Sequence, residues 1–147
     1  MEKQYLINGR IINPTNQIDE IGGLIIDNEG KIQASGKNVS KENLPNDANK
    51  IDLNQKILMP GLVDMRVFVG EPGFEYKENF RTLSEAALAG GVTSVVSMPN
   101  TSPVIDNVSM VDFLKRRGRD KSRINIFLIH LFFNKKLFYL NNTAVNF

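Results

Sequence analysis

The chain has 147 residues, 41% of them hydrophobic, which is enough for one ordinary domain with a packed core. Its formal net charge of +2 excludes the strongly basic composition that is typical of nucleic-acid-binding proteins. The absence of cysteine excludes disulfides and thiolate metal sites and, with an N-terminus that lacks a signal peptide, predicts a cytoplasmic protein.

Residues 1–57 predict a small module of short strands. Asn8-Gly9 is a strong tight-turn signal between two apolar runs, and residues 27–30 give a second turn signal. Two hairpins are therefore predicted, with strands at Tyr5–Ile7, Ile11–Ile12, Leu24–Ile26 and Lys31–Ala34. The polar residues 36–50 predict a surface connection before a further strand at Lys50–Leu53.

From residue 58 the pattern changes to alternating strands and helices. Strands are predicted at Leu62–Val69, Val92–Met98 and Arg123–Ile129, and the middle one is apolar enough to be buried on both faces. Two strand–helix units followed by a third strand predict a parallel sheet with right-handed crossovers. The predicted fold class is α/β, with a β module at residues 1–57 and a strand–helix unit at residues 58–129.

Both predicted helices have an apolar face and identifiable ends. Gly90-Gly91 stops the first helix, while the second is capped by Asp106 or Asn107 and ends at Gly118. The apolar positions are Phe80, Leu83, Ala87 and Leu88 in the first helix and Val108, Val111 and Leu114 in the second.

The first strand of this unit, within GLVDMRVFVGEPG, ends in polar and aromatic side chains. Asp64, Arg66 and Phe68 occupy every second position, so a regular strand would place them on one face. A Glu-Pro-Gly turn follows at residues 71–73. An acid, a permanently charged guanidinium and an aromatic ring at one strand end mark a candidate site.

Two stretches, PGLVDMRVFVGEPG and KENFRTLSEAALAGGVTSVVSMPNTSPVID, resemble the N-terminal part of dihydroorotases of the amidohydrolase superfamily. The resemblance covers roughly Leu6 to Ile129. Allantoinases and hydantoinases are similar in layout but usually differ after the Met-Pro, which favours the dihydroorotase branch. The resemblance implies a (β/α)8 barrel with its site at the carboxyl ends of the strands, and a β-sandwich built partly from N-terminal strands. Residues 58–129 would then be the first strands and helices of an incomplete barrel.

The same resemblance implies a function for the residues at this strand end. Active members read PG-x-x-D-x-H-x-H here, the two histidines bind zinc, and an arginine two positions later holds the substrate carboxylate. This sequence has Arg66, Phe68 and Gly70 at those positions. Arginine stays protonated, phenylalanine has no ligand atom, and glycine lacks the fork that grips a carboxylate. No metal, cofactor or catalytic residue is therefore expected.

Partial matches to the family remain. Asn100, within MPNT, falls where the family binds substrate with an asparagine, and a turn asparagine after Pro99 is an equal alternative. Asp64 matches the acid before the histidines, and without a metal it is expected to hold Arg66 or a backbone turn. A basic cluster permits an anion site or a favourable interaction with a helix C-terminus, and the second is favoured. The cluster consists of Lys115, Arg116, Arg117 and Arg119.

Residues 130–147, HLFFNKKLFYLNNTAVNF, contain no acid and no glycine and stop resembling the family. Truncation or a frameshift explains this change, and a species-specific aromatic anchor is the alternative; the run is too interrupted to span a membrane. His130, the single histidine, cannot by itself hold a catalytic zinc, which normally takes three protein ligands. A barrel that stops after three strands would leave Arg123–Ile129 as an open edge, so self-association is expected.

Two functions follow from the resemblance. The first is a non-catalytic dihydroorotase homologue, or a remnant of one, because inactive members of the family assemble with aspartate carbamoyltransferase and DMRVFVGEPG resembles that branch. The alternative is an active dihydroorotase of pyrimidine biosynthesis, in which metal activates water and polarises the carbonyl of a cyclic amide. The missing histidines favour the first function.

Overall fold

The computed structural model describes residues 2–46 and 48–129 of the chain. They divide into two compact units, with the boundary between Pro60 and Gly61. The predicted tail at 130–147, including His130, lies outside the described residues. None of the helices in the described ranges is long and apolar enough to cross a bilayer.

The first unit contains one mixed sheet among its described residues. Its strands run in the order β3-β2-β1-β4, and β5 also pairs with β1. Strand β2 is antiparallel to both β1 and β3, whereas β4 and β5 run parallel to β1. A single 3-10 turn at Lys41–Asn43 lies in the predicted surface connection. The strands are β1 (Gln4–Asn13), β2 (Ile18–Ile26), β3 (Ile32–Gly36), β4 (Lys50–Asp52) and β5 (Ile57–Leu58).

The hairpin predicted at Asn8-Gly9 is wrong. Strand β1 runs straight through both residues, and its register with β2 shifts between Leu6 and Gly9, where Asn8 has a φ of 55°. The two residues therefore form a bulge, which uses the same left-handed conformation as a turn without reversing the chain. The reversal comes later, where the Gln17 N–H donates to the Pro14 carbonyl at 3.3 Å.

The second predicted hairpin is confirmed. Strands β2 and β3 pair in antiparallel register from Gly23 opposite Gly36 to Ile26 opposite Ile32. Between them Asp27 Oδ1 accepts hydrogen bonds at 2.9 Å from the backbone N–H groups of Glu29 and Lys31. A short side-chain acceptor that replaces backbone partners is the reason aspartate favours such turns.

The second unit is a parallel sheet of order β6-β7-β8 whose strands alternate with two helices. The predicted order of elements and their parallel pairing are confirmed. Each strand ends one or two residues before its predicted end, although the Met98 N–H still donates to the Val67 carbonyl and the Ile129 N–H to the Ser97 carbonyl. The elements are β6 (Leu62–Val67), α1 (Phe80–Ala89), β7 (Val92–Ser97), α2 (Val108–Lys121) and β8 (Asn125–Leu128).

Both helices begin at an asparagine cap, and the sequence predicts only that of α2. Asn79 caps α1, accepting from the backbone N–H groups of Arg81 and Thr82, and Gly90 closes its C-terminus. Asn107, rather than Asp106, caps α2 and accepts from the N–H of Met110 at 2.9 Å. Both asparagines thus satisfy backbone donors that a helix leaves without intrahelical partners.

The predicted end of α2 at Gly118 is wrong, since the helix continues to Lys121. Gly118 is buried inside the helix, where a Cβ atom would lie 3.6 Å from Cβ of Ile126 on β8. A Cβ atom would therefore make only an ordinary van der Waals contact with the strand, and the glycine does not stop the helix. Val108, predicted to be a core position, is 62% exposed because it lies in the first turn of the helix.

The core of this unit lies between the sheet and its helices. It consists of five buried side chains, with Leu83, Met110, Val111 and Ile126 packed around them. Two of the five belong to segments that follow strands, so the core also holds the ends of those segments in place. The five are Val69, Phe80, Ile105, Leu114 and Leu128.

Leu114 and its neighbour Phe113 give a matched test of this core. Leu114 is fully buried, whereas Phe113 is 45% exposed on the same helix. Leu114→Ala should lower the free energy of unfolding by about 2–5 kcal/mol, because it removes packed methyl groups and leaves a cavity. Phe113→Ala should cost less than about 1 kcal/mol. Urea unfolding followed by circular dichroism measures both, and equal losses would contradict the assigned core.

Candidate functional site

The end of β6 departs from regular strand geometry. Asp64 pairs with Val95 and Val67 with Ser97. Strand β6 therefore contains one more residue than β7 between these two pairs. Within this bulge, Asp64 Oδ1 accepts a hydrogen bond from the backbone N–H of Arg66 at 2.9 Å. Asp64 therefore holds a backbone turn, one of the two roles expected for it without a metal. Across the described ranges, the Arg66 side chain is exposed and makes no ion pair.

Beyond the strand, burial alternates from one residue to the next. Val67 is half-buried, Phe68 is 54% exposed and Val69 is 1% exposed within the core. Since extended residues alternate between faces, Phe68 lies on the face opposite Val69. The regular strand that would place Asp64, Arg66 and Phe68 on one face is not present, because a bulge lies between Asp64 and Val67 and β6 ends at Val67.

Gly70 occupies a backbone conformation that suits only glycine. Its φ is +73°, and its carbonyl accepts from the Phe74 N–H at 2.6 Å. A Cβ atom here would lie 2.9 Å from the Glu78 carbonyl oxygen and 3.0 Å from that of Phe74. The turn after β6 is therefore closed too tightly for a side chain at this position.

Glu71 is the residue that sequence reasoning missed. It is 2% exposed, and its Oε1 accepts from Arg117 Nε at 2.5 Å while its Oε2 accepts from the Phe80 N–H at 3.2 Å. One carboxylate thus joins the loop after β6, the start of α1 and the middle of α2. A glutamate between an apolar strand and Pro72 was the available signal, but it identifies neither partner.

The members of the basic cluster have different roles, because Arg117 is paired with Glu71. Arg117 lies within α2, four residues before its end, and is committed to Glu71, so the helix-terminus interpretation is wrong for it. Arg119 does lie in the last turn, as does Lys121, where cations complement the helix dipole. Arg116 remains exposed, with its Nε 3.3 Å from the Asp112 carbonyl oxygen.

The loop after β7 interlocks with the loop after β6. The Ser102 N–H donates to the Pro72 carbonyl at 3.0 Å, and a Cβ atom on Gly73 would lie 2.0 Å from the Ser102 carbonyl oxygen. Buried Thr101 donates to the Pro103 carbonyl at 2.8 Å and so stabilises the second loop internally. The EPG and MPNTSPVID motifs are therefore in direct contact, and Asn100, within the second motif, is exposed.

The outer part of the first loop carries charges that are satisfied locally. Glu75 accepts from the Gly73 N–H at 3.0 Å, and this backbone hydrogen bond is the main cause that lowers the pKa of its carboxyl group. Lys77 Nζ lies 5.2 Å from the ring centre of Phe74 and 5.6 Å from that of Tyr76. Cation–π attraction of this kind holds the ammonium group against the loop.

The residues at the end of β6 do not fit a zinc ion. Arg66 and Phe68 offer no lone pair, and the Oδ1 atom of Asp64 already accepts a backbone N–H. Across residues 2–46 and 48–129, no group of three or more histidine, cysteine, aspartate or glutamate side chains is arranged to hold a metal. The arrangement can instead present a cation and an aromatic ring on a fixed backbone.

Comparison with known proteins settles the family. A family model described as Dihydro-orotase-like matches residues 55–133, more than half of the chain. The chain belongs to the dihydroorotase-like family. It is 41% identical over 125 residues to a dihydroorotase from Syntrophus aciditrophicus, covering 85% of this chain and 29% of that protein. A Wolbachia dihydroorotase is 42% identical over 125 residues, covering 84% and 28%. The chain thus spans less than a third of these curated relatives.

Solved structures of similar shape include a hydantoinase and a dihydropyrimidinase. L-hydantoinase from Arthrobacter aurescens matches with a TM-score of 0.75 at 21% identity, over 88% of this chain and 28% of that one, which shows a shared fold alone. Dihydropyrimidinase from Brevibacillus agri matches with a TM-score of 0.72 at 26% identity, over 91% and 28%. The predicted resemblance to dihydroorotases is confirmed at the level of the family.

Arg117 and Arg116 provide a matched test of the Glu71 contact. Arg117→Met should lower the free energy of unfolding by about 1–3 kcal/mol, because it leaves a buried carboxylate with one partner fewer. Arg116→Met should change it by less than about 0.5 kcal/mol. Urea unfolding measures both losses. Adding Glu71→Gln to Arg117→Met should cost less than the sum of the single changes, and strict additivity would show that the pair does not interact.

Proposed function

We propose that this chain is a non-catalytic member of the dihydroorotase-like family. The observation that carries the proposal is the pair Arg66 and Phe68, which stand where the motif of active members has its zinc-binding histidines. When zinc is present in such a site, it activates water and polarises the carbonyl of a cyclic amide. Neither a guanidinium nor a benzene ring can bind the ion, so this strand end lacks the groups for that chemistry.

The conformation of Gly70 supports the same proposal. This position corresponds to the arginine that holds the substrate carboxylate in active members. A side chain here would meet the Phe74 and Glu78 carbonyl oxygens, and a φ of +73° is unfavourable for any residue with a Cβ atom. The turn is therefore built for the residue that is present, and the carboxylate fork has no place in it.

The wider architecture belongs to the same proposal. We infer that β6, β7 and β8 with their helices correspond to the first three strands of a (β/α)8 barrel, and that the N-terminal sheet contributes to a β-sandwich. Support comes from the parallel strand order and from the hydantoinase and dihydropyrimidinase structures that share this fold. In a barrel of this kind, the loops after β6 and β7 would lie at the face that carries the active site.

Aspartate carbamoyltransferase is the proposed partner. The motif resembles the inactive branch of the family that assembles with this enzyme, and the second unit has apolar side chains available for a contact. Exposed aliphatic residues on β6 are Leu62, Val63 and Met65, with exposures of 48%, 57% and 64%. Apolar patches of this kind support association, either with a partner or between copies of the chain.

An active dihydroorotase is the alternative function. Identities of 41% and 42% to curated dihydroorotases, each over 125 residues of this chain, favour it. Catalysis depends on a few side chains at one site, however, and a fold can be kept when those groups are replaced. The strand end therefore decides between the two functions, and metal binding and turnover distinguish them.

The first test concerns zinc. After incubation with zinc and dialysis, the native protein should retain far less than one ion per chain, because Arg66 and Phe68 supply no ligand atoms. Elemental analysis measures the content. The variant Arg66→His, Phe68→His should retain more zinc, since two neutral imidazoles then alternate along the strand. Hydrolysis of dihydroorotate by the native protein, or one tightly held zinc per chain, would instead support the active enzyme.

The second test concerns the partner. Co-expressed with aspartate carbamoyltransferase from the same organism, the tagged chain should co-purify with it and form one monodisperse species in light scattering. Expressed alone, it should self-associate through its exposed apolar surface. The double variant Val63→Ser, Met65→Ser should weaken both kinds of association. The proposed partnership would be contradicted if the chain were a monodisperse, cooperatively melting monomer that does not bind aspartate carbamoyltransferase.

A further inference from the structure

The Asn8-Gly9 bulge joins β1 to the segment that carries β4 and β5. Asn8 Nδ2 donates to Asp52 Oδ1 at 2.9 Å, and the same oxygen accepts the Asn54 N–H at 2.7 Å. The Gln55 N–H donates to the Asn8 carbonyl at 2.7 Å. One residue of β1 thus holds this segment with both its side chain and its main chain, and we call these contacts the bulge junction.

Three residues of the bulge junction have a left-handed backbone although none of them is glycine. The φ angles are 55° at Asn8, 49° at Asn54 and 60° at Gln55. This conformation is unfavourable for residues with a Cβ atom, so the surrounding hydrogen bonds have to maintain it. Loss of one of these hydrogen bonds therefore favours opening of the junction.

Asn8 also stands in a sequence that permits a spontaneous reaction, since it is followed by Gly9 and no other asparagine in the chain precedes a glycine. Glycine lacks a Cβ atom, so its backbone nitrogen can approach the side-chain carbonyl carbon of the preceding asparagine. The Gly9 nitrogen then forms a bond to Cγ of Asn8 and loses its proton, and the side-chain nitrogen leaves as ammonia. Water opens the cyclic imide to an aspartyl or isoaspartyl residue, and no other reagent is consumed.

The folded junction opposes this ring closure. The attacking nitrogen belongs to the peptide group between Asn8 and Gly9, and the carbonyl of that group is held by the Gln55 N–H. Bringing the nitrogen onto Cγ displaces this peptide group and also releases the side-chain amide from Asp52. The reaction therefore requires local opening of the junction, and its rate follows the population of the open form.

We propose that Asn8 is a deamidation site that the fold protects, and that the deamidated chain cannot restore the bulge junction. The aspartyl product faces Asp52 with a second carboxylate, and two ionised carboxylates only accept hydrogen bonds and repel each other. The isoaspartyl product adds a methylene group to the backbone at the bulge, so the carbonyl that Gln55 binds is displaced. Opening thus permits the modification, and the modification keeps the junction open.

Asp52 is the group that makes the aspartyl product unfavourable. Its pKa lies below the usual value because it accepts the Asn54 N–H and, to a smaller degree, the Asn8 amide. The carboxylate is therefore ionised at neutral pH, where a new acid at position 8 is also ionised. Deamidation replaces a hydrogen-bond donor to Asp52 with a charge of the same sign.

The native chain gives the first test. It is incubated in mildly alkaline buffer with and without urea, and conversion of each asparagine is measured by peptide mapping with mass spectrometry. Asn8 should convert about tenfold or more slowly without urea, because conversion passes through local opening. Asn54 is the internal control, since it is exposed and left-handed but precedes glutamine, and it should convert little in either condition. Equal rates at Asn8 in both conditions, or no conversion in urea, would overturn the proposal.

Substitutions test the consequence for the junction, with tryptic cleavage after exposed Lys56 as the measure of its opening. Asn8→Asp should speed this cleavage by about tenfold, because proteolysis follows the population of the open form. Adding Asp52→Asn should restore slow cleavage, since the new amide donates to the carboxylate at position 8 while its oxygen still accepts the Asn54 N–H. Asn16→Asp adds the same charge on an exposed turn and should leave the rate unchanged.

The deamidated native chain completes the test. Each conversion adds one negative charge to the formal net charge of +2, so ion exchange separates the product from the parent. After transfer from urea into buffer, the product should keep the fast cleavage after Lys56, whereas the parent should return to slow cleavage. Slow cleavage of the refolded product, or a failure of Asp52→Asn to rescue Asn8→Asp, would overturn the one-way effect. None of these outcomes bears on the proposed non-catalytic function, because the junction uses no residue at the end of β6.

Discussion

The second unit depends on one buried carboxylate. Glu71 leaves water on folding, and a charge in that position is stable only if its oxygens are paired. Arg117 pairs with one oxygen from α2, and the first N–H of α1 pairs with the other. A single side chain thereby fixes the loop after β6 relative to two helices. Val69, two residues before Glu71, and Phe80, whose N–H donates to Glu71, both belong to the buried core.

Much of this arrangement follows from sequence patterns. The order of strands and helices in the second unit, the asparagine cap of α2 and the glycine stop of α1 are local features, and the sequence predicts each of them. The parallel pairing follows from the alternation of strand and helix. Short-range chemistry is sufficient in these cases because each signal involves neighbours within one turn of helix or one strand.

Other features depend on partners that are distant in the sequence. Glu71 and Arg117 are 46 residues apart, and no local pattern connects them. Gly118 is a typical helix-stop residue, but α2 continues through it to Lys121 and places it in the buried layer against β8. Asn8-Gly9 is a typical hairpin-turn sequence, but β1 pairs with β2 on both sides of it, so these two residues form a bulge. In each case a tertiary contact overrides the local preference.

The contact between Gly73 and Ser102 has a consequence for protein engineering. With only 2.0 Å between the position of a Cβ atom and a backbone oxygen, the two loops are fitted to each other at the level of the main chain. A loop exchanged by itself has to keep this close approach, since a residue with a Cβ atom at position 73 would collide with the Ser102 carbonyl oxygen. A graft of enzyme-like loops onto this scaffold must therefore transfer the segments after β6 and β7 as a single piece.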